Sequence, residues 1–510
     1  MTRKAREILL LCLLAACLAF VLADSARFFV RLDVTRNKAY TISPVSRAIC
    51  RSIPERVHIL YYLSDTLRSL TPTPGRIIDF LEEYAAGSGG KVGLTVVDPI
   101  REGGIDAARR FGVTPTQVQV VQQNEQRTID VFSGIVVEYL NRYTTLPAVF
   151  TPDGLEYSLS FAIRKLLAGR RVVIGVLLGR PDKSFPADFG SLETGLSRDY
   201  WLRQYAPGER IPPEVDLLLV LGAGGLKEAD LRRVDRYLME GGKILFAVKG
   251  LRVETLRALS AEAERPPLLD LLESYGVRVG QGMVLDTSAR DYRLPQQVSG
   301  GITWERLGKY PPWVSIRAPD VSPTHPVTAS FPGLDLLWPS PLEPVPVEGV
   351  RAEVLVRSSP SSWLMREPFQ IDPFRVPQAG APGAQGRRAL AVALSGTFPS
   401  RFPSVPGARS LPTRIVVVGD DDFASDLMVF SDSLYDVLFI ENAALWLSGN
   451  ADLLTLKTKA AAEGRLDRVQ DPAARRRVML TAQLLNVAVI PLLVALFGTV
   501  RLLRRRGKAG

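Results

Sequence analysis

Cysteine and histidine are nearly absent from this chain of 510 residues. The cysteines are Cys12, Cys17 and Cys50, and the histidines are His58 and His325. No Cys-x-x-Cys pair exists, which removes dithiol redox chemistry, and no Cys or His spacing builds a zinc site. Two distant histidines leave few general bases. Neither a Gly-x-Ser-x-Gly elbow nor a His-Glu-x-x-His helix is present, so nucleophilic and zinc-dependent hydrolysis lack their usual parts. Gly222-Ala223-Gly224-Gly225 lacks the third glycine of a dinucleotide fingerprint and the Gly-Lys-Ser/Thr ending of a phosphate loop. It reads as a plain strand-to-helix turn, and the chain does not look like an ATPase. No repeat of solenoid period occurs. Nothing in the residues calls for a cofactor.

The net charge of +10 is confined to the two ends. Residues 1–7 carry Arg3, Lys4 and Arg6 against Glu7. Residues 475–510 carry Arg475, Arg476, Arg477, Arg501, Arg504, Arg505, Arg506 and Lys508 with no acidic residue. Residues 8–474 therefore balance, and the body offers no bulk attraction for nucleic acid.

What is abundant is hydrophobic sequence between those basic groups. Val478–Val500 is 23 residues without a charge, long enough to cross a bilayer as a helix. Ile8–Ala23 is a second uncharged run, extended by Phe28, Phe29 and Val30. It has the marks of a signal peptide, a signal anchor or, through Leu14-Ala15-Ala16-Cys17, a lipoprotein signal; we read it as a retained span. The basic tails orient both termini to the cytoplasm and the body outside the cytoplasmic (inner) membrane. Gln483 and Asn486 lie three apart on one face of the second span. Lipid penalises amides there, so this face is expected to pack on a partner helix.

The expected organisation is a cytoplasmic tail (1–7), transmembrane helix 1 (8–30), an α/β domain (31–150), a second α/β domain (151–290), a continuation of the α/β body (291–455) with a mobile loop near 372–388, a juxtamembrane connector (456–477), transmembrane helix 2 (478–500) and a basic cytoplasmic tail (501–510). In the first domain, Ser43 before Pro44 starts a helix to about Cys50. Strands follow at 56–63 and 91–97, helices at 74–86 and 105–111, and strands at 117–121 and 128–139. This β-α-β-α-β-β order resembles a thioredoxin-like layout without its cysteine pair. In the second domain, 171–178 reads as a strand buried on both faces. Helices are expected at 158–168, 191–204, 228–240 and 268–275, and strands at 215–221 and 243–248. Residues 290–388 show little regularity; strands return at 389–394 and 414–418, and a helix at 436–447. His58 reads as a satisfied strand histidine and His325 as a surface or turn residue.

Asp420, Asp421 and Asp422 follow the strand 414–418. Carboxylates at the carboxyl end of a strand stand where α/β sheets place ligands, and they could hold a divalent cation. They could equally form a turn and cap the next helix. A hydrolytic reading would pair them with Asp98 or Asp286.

Several phrases together resemble the GldG-type auxiliary components of ABC transporters, a family associated with gliding motility. They are Asp33-Val34-Thr35 through Tyr40-Thr41-Ile42-Ser43; Tyr157–Leu166; Ala391-Val392-Ala393-Leu394-Ser395-Gly396-Thr397-Phe398-Pro399-Ser400; Val418-Gly419-Asp420-Asp421-Asp422-Phe423; and Asn442–Leu447 followed by Asn450-Ala451-Asp452-Leu453. Asp421 replaces the family's usual serine. The resemblance implies an α/β domain similar to class I glutamine amidotransferases, although residues 171–290 contain neither Cys nor His. It also implies a multi-span permease and a separate ATP-binding subunit as partners. The resulting expectation is a non-catalytic, membrane-anchored auxiliary or substrate-binding subunit of an export or motility complex, with a polysaccharide, lipid or protein ligand. The alternative is a membrane-tethered hydrolase or carbohydrate-active enzyme using the Asp cluster.

Overall fold

The computed structural model describes residues 41–462 apart from 123–124, 256–258, 299–300, 330, 382 and 432–434. Among the described residues, no helix is long and apolar enough to cross a membrane. Both expected spans, and with them Gln483 and Asn486, lie outside the described residues.

The first helix, α1 (Pro44–Arg51), begins where its cap chemistry dictates. Ser43 Oγ accepts from the Ser46 amide at 3.1 Å, and Pro44 occupies the first helical position, where no amide hydrogen is needed. Then come β1 (Val57–Leu63), α2 (Asp65–Leu70), α3 (Thr73–Gly87), β2 (Val92–Val97), α4 (Ile105–Arg110), a hairpin of β3 (Thr116–Gln122) and β4 (Glu125–Val131), then β5 (Ser133–Tyr139) and β6 (Arg142–Leu146). The sheet order is β2-β1-β5-β6, with β1 parallel to β2 and the other pairs antiparallel. The single strand expected over 128–139 is two. The chain breaks at Phe132, so β4 pairs with β3 while β5 pairs with β1. Helix α5 (Leu155–Ala168) packs on β5, β6 and α1.

The second sheet is built from β7 (Val173–Leu178), β8 (Trp201–Tyr205), β9 (Leu217–Leu221) and β10 (Ile244–Ala247), all parallel. Helices α6 (Phe185–Asp188) and α7 (Gly190–Ser197) lead to β8, and α8 (Glu228–Met239) leads to β10. The helix expected over 191–204 therefore stops at Ser197, and its last third is a strand. Strand β8 is an edge strand with mostly exposed side chains, so it carries no apolar alternation.

After β10 the chain makes a hairpin of β11 (Leu251–Glu254) and β12 (Ser260–Ala263), helix α9 (Pro267–Tyr275), and strands β13 (Val277–Val279), β14 (Met283–Leu285), β15 (Ala289–Val298), β16 (Gly301–Arg317), β17 (Gly333–Leu337), β18 (Leu342–Pro344), β19 (Val350–Arg357), β20 (Trp363–Met365) and β21 (Ala389–Gly396). It then rejoins the parallel sheet as β22 (Thr413–Val418), beside β10. The order is β13-β18-β21-β22-β10-β9-β7-β8, with β19 also on β21. Residues 290–365 thus carry far more strand than their sequence indicates, whereas no helix or strand is described over 366–388, the stretch that holds the expected loop. Pro295, Pro311 and Pro312 sit within β15 and β16, and the Pro311 and Pro312 carbonyls accept from Asp286 and Trp338. Helices α10 (Tyr435–Leu447) and α11 (Ala451–Ala462) close the body.

Alternate residues of β9 feed opposite cores. Leu217, Leu219 and Leu221 join a cluster that runs from Ile42 to Leu456, and Leu218 and Val220 join the other, with α8 and α9. A strand buried on both faces needs this unbroken apolar sequence. Because the first core is shared by the N-terminal sheet, α5 and α10, the two sheets are packed as one body.

Candidate functional site

The carboxyl ends of β7, β9, β10 and β22 converge on one cavity. In the sheet, β7 lies between β8 and β9, so the chain leaves it in one direction and later returns on its other side. Such a reversal opens a crevice at the strand ends. Two glycines shape it. The Gly179 amide donates to Leu221 O at 2.8 Å, and a Cβ on Gly179 would stand 2.4 Å from Gly222 O. Gly222 itself has φ +83°, a left-handed conformation that glycine accepts without strain. The turn Gly222–Gly225 joins β9 toward α8 as expected, and Ala223 and Gly224 line the cavity.

The cavity measures about 290 Å³. Beneath it lie Asp420, Asp421 and Asp422, with exposures of 0%, 5% and 2%. Their oxygens lie within 4.8 Å of one another, a spacing suited to a cation. An ammonium already stands there: Lys249 Nζ is 3.1, 3.0 and 2.7 Å from oxygens of Asp420, Asp421 and Asp422. Lys249 follows the buried strand β10 and Val248, and its side chain is only 2% exposed. Arg180, just after β7, reaches Asp421 at 3.1 Å and Asp422 at 3.4 Å, and forks onto Asp182 through Nε and Nη2 at 2.9 and 2.7 Å. Lys183 lies 2.9 Å from Asp422.

These contacts decide the protonation states. Burial would lower the Lys249 pKa, but the three carboxylates outweigh it and hold it well above the ordinary lysine value. Burial opposes ionisation of Asp422, yet Lys249, Arg180 and Lys183 keep its carboxyl well below the usual range. Asp420 moves the other way. Burial, opposed by Lys249 and reinforced by Asp422 and Asp421, pushes it up to about 6. Its oxygens also accept from the Leu337 amide at 2.7 Å and the Asp422 amide at 2.8 Å. Asp421 Oδ1 is 3.0 Å from the ammonium but receives no directed hydrogen bond, so that contact is an ion pair without hydrogen-bond geometry.

The Leu337 amide ties the acidic cluster to a strained neighbour. Trp338 has φ +57°, an uncommon conformation for a bulky residue. It is held by its amide on Pro312 O at 2.8 Å and by its indole Nε1 on Tyr310 Oη at 2.9 Å. The Trp338 ring lines the cavity, with Lys249 Nζ 5.7 Å from its centroid.

The other sequence candidates lie elsewhere. Asp98 accepts from the Asp65 and Ile100 amides, and Asp286 from the Ser288 and Ser359 amides and Ser359 Oγ. Neither lines the cavity, so neither supplies the second carboxylate of a hydrolytic pair there. The three aspartates do not cap a helix; their charges are spent on Lys249, Arg180 and Lys183. His58 bonds Thr95 Oγ1 at 3.0 Å across the β1–β2 pair. His325 is in a turn, as read, but is not at the surface: it is 4% exposed and packs edge-on to Trp446 at 4.8 Å. Lys249, Arg180, Lys183 and Trp338 were not singled out in sequence. The available signal was charge balance: three acids ending one parallel strand require cations at the ends of its neighbours.

The fold and site thus define a mixed α/β protein with a cavity lined by charged groups at its sheet's switch point. A family described as "ABC-type uncharacterized transport system" matches residues 171–450, and the chain belongs to this family of transport-system auxiliary components, in keeping with its GldG-type resemblance. A domain of unknown function matches residues 36–138. An uncharacterized protein of Borreliella burgdorferi is 22% identical over 519 residues, spanning 99% of each chain. Among solved structures, the mmIFT52 N-terminal domain aligns over 53% of this chain and all of its own, at 14% identity and TM-score 0.32. A ThuA-like protein from Bacteroides uniformis aligns over 54% of this chain and 91% of its own, at 12% identity and TM-score 0.31.

Proposed function

We propose that this chain is a non-catalytic, membrane-anchored subunit of an ABC-type export or motility complex. Its body stands outside the cytoplasmic membrane, a multi-span permease docks against its spans, and ATP is hydrolysed on a separate subunit. In this reading the N-terminal sheet is a thioredoxin-like unit without redox cysteines, and the parallel sheet is an amidotransferase-like unit without a catalytic cysteine. The transport-associated auxiliary role follows from family membership. The observation that carries the non-catalytic reading is the trio of aspartates fully paired to Lys249, Arg180 and Lys183, which makes the crevice a preformed recognition surface. Isolation of the tagged full chain in mild detergent at native expression should recover an ATP-binding subunit and a permease. Repeated recovery of the chain without them would overturn the assignment.

A hydrolytic reading has one observation in its favour: Asp420 and Asp422 are shifted in opposite directions, as acid–base pairs often are. Against it, Asp420 is wholly enclosed and Asp422 nearly so, and both are held by Lys249, so the oppositely shifted pair is not open to a substrate. If Asp420→Asn and Asp422→Asn, each correctly folded, abolished a hydrolytic activity of the purified complex, this reading would prevail.

A further inference from the structure

We infer that the outer edge of β8 (Trp201–Tyr205) is a docking strand for an extended, acidic segment of a partner protein. The inference goes beyond the auxiliary-subunit reading and uses neither the cavity nor the membrane spans.

The backbone comes first. Strand β8 ends the large sheet and pairs only with β7. The Trp201 amide donates to Val172 O at 2.9 Å, so Leu202 and Gln204, next in alternation, turn their amides and carbonyls away from β7. Among the described residues, no strand covers that edge. Open edges recruit further strands, and proteins usually blunt them with charge or proline. Here the edge carries Trp201 at 67% exposure, beside an exposed Arg203 held over the Tyr205 ring at 5.1 Å. Trp and Arg are the side chains that most often anchor protein interfaces.

Charge names the occupant. Arg142, Arg171, Arg198 and Arg203 are exposed and form no ion pair among the described residues. They belong to one surface. A Cβ on Gly169 would lie 3.1 Å from Arg142 Nη1. Arg171 follows two residues later, next to Val172, whose carbonyl holds the Trp201 amide. Two nearby acids are already matched, Asp199 by Lys165 at 2.9 Å and Asp216 by Arg170 at 2.6 Å. Glu209 and Glu214 act on Tyr205, at the opposite end of the strand. The Trp201 end therefore presents cations in excess, and an acidic segment complements it. A second copy fits less well. Arg203 is the middle residue of β8, so two copies paired antiparallel about their centres would set Arg203 against Arg203, a destabilising like-charge pair. Nucleic acid or lipid headgroups would meet the cations but not the unpaired backbone, which an extended polypeptide satisfies by adding a strand.

Leu140 is an independent sign. It lies in the two-residue turn between β5 and β6, where Tyr139 pairs with Arg142 and Asn-Gly is the ordinary choice. It has φ +54° and is 67% exposed. A leucine there bears a left-handed backbone and gains no core burial in return. Two residues from Arg142, it sets an apolar contact at the border of the basic surface.

The test uses the full chain in detergent with fluorescein-labelled heptapeptides that alternate Glu or Asp with Val, Ile or Tyr. Fluorescence anisotropy should show at least one peptide binding, more weakly as salt rises. The same peptide should fail to bind with Lys in place of its acids, or with an N-methylated backbone that cannot complete a ladder. Amide exchange at Leu202 and Gln204 should slow in the complex. Trp201→Ser and Arg203→Glu should each weaken binding about tenfold or more, with the melting temperature unchanged because both side chains are exposed. Four results would each overturn the inference: no peptide binds; the lysine or N-methylated forms bind equally well; both variants bind as the wild type does; or an oligonucleotide or anionic vesicles bind where the acidic peptides do not. A concentration-dependent dimer that Trp201→Ser dissolves would give the edge to a second copy and also overturn it. Recovery of the transport subunits is a separate measurement, so the auxiliary role survives any of those failures.

Discussion

Lys249 Nζ lies 2.7 Å from Asp422 Oδ2, and both side chains are at most 3% exposed. The same ammonium also serves Asp420 and Asp421, so one lysine at the end of β10 neutralises much of the acidic cluster at the end of β22. Lys249→Met should destabilise the protein by about 3–5 kcal/mol, because carboxylates lose their buried counter-charge. Chemical denaturation of the purified chain measures this directly; a loss below about 1 kcal/mol would mean that the cluster is relieved by other means.

The same substitution makes a second prediction. With the ammonium gone, carboxylate oxygens within 4.8 Å of one another become a site for a hard cation. Calcium at millimolar concentration should raise the melting temperature of Lys249→Met and leave the wild type unchanged. A wild-type response to calcium or magnesium would show that the lysine does not occupy the cation position.

Asp436, at the start of α10, predicts a pH dependence. Burial, with Asp335 and Asp426 adding to it, raises its pKa from 3.8 to about 7. The folded state therefore holds a proton that the unfolded state releases earlier. Its contribution to stability is fully present below the unfolded pKa and is lost as pH rises through about 7. Asp436→Asn should remove this slope and stabilise the protein above neutrality by up to about 4 kcal/mol. Melting curves between pH 4 and 8 for both proteins test it; parallel profiles would contradict the assignment.

Gly179→Ala should cost about 1–3 kcal/mol, because its Cβ would meet the Gly222 carbonyl at 2.4 Å, and backbone there cannot swing aside as a side-chain tip could. Unfolding in urea gives the value. Ala at Gly208, where a new Cβ meets nothing within 4 Å but φ is +97°, separates backbone strain from collision.

Much of this architecture is written in local chemistry. Ser43-Pro44 announces α1, and the unbroken apolar run at β7 marks a strand covered on both faces. Where reading failed, the deciding forces were not local. Strand β8 is short, edge-placed and largely exposed, so it exists by pairing with β7 and not by pattern. The long β15–β16 hairpin contains prolines that argue against strands when met one by one. His325 sits among turn residues, yet Trp446, 121 positions away by the numbering, buries it. The aspartate trio was visible, but its meaning depended on Lys249 and Arg180, which only the parallel order of β22, β10, β9 and β7 brings alongside.

Helix α5 carries the last pair of residues to test. Glu156 accepts from the Ser43 amide at 2.6 Å, Ser46 Oγ at 2.6 Å and Lys459 Nζ at 2.7 Å. Burial works against its ionisation, but Lys459, Ser46 and Ser43 together hold the carboxyl below its ordinary value. Lys459→Met and Glu156→Gln should each destabilise by about 1–3 kcal/mol, and the double variant should lose clearly less than the sum. A double-mutant cycle that closes to zero would mean that the two side chains act independently.

Lys459 Nζ also donates to Thr41 O at 2.6 Å, across 418 positions of sequence. Residues far apart in sequence are thus tied at one point of the body. A pull applied at Thr41 and Lys459 in opposite directions would load this hydrogen bond and the Lys459–Glu156 ion pair before it loaded either sheet.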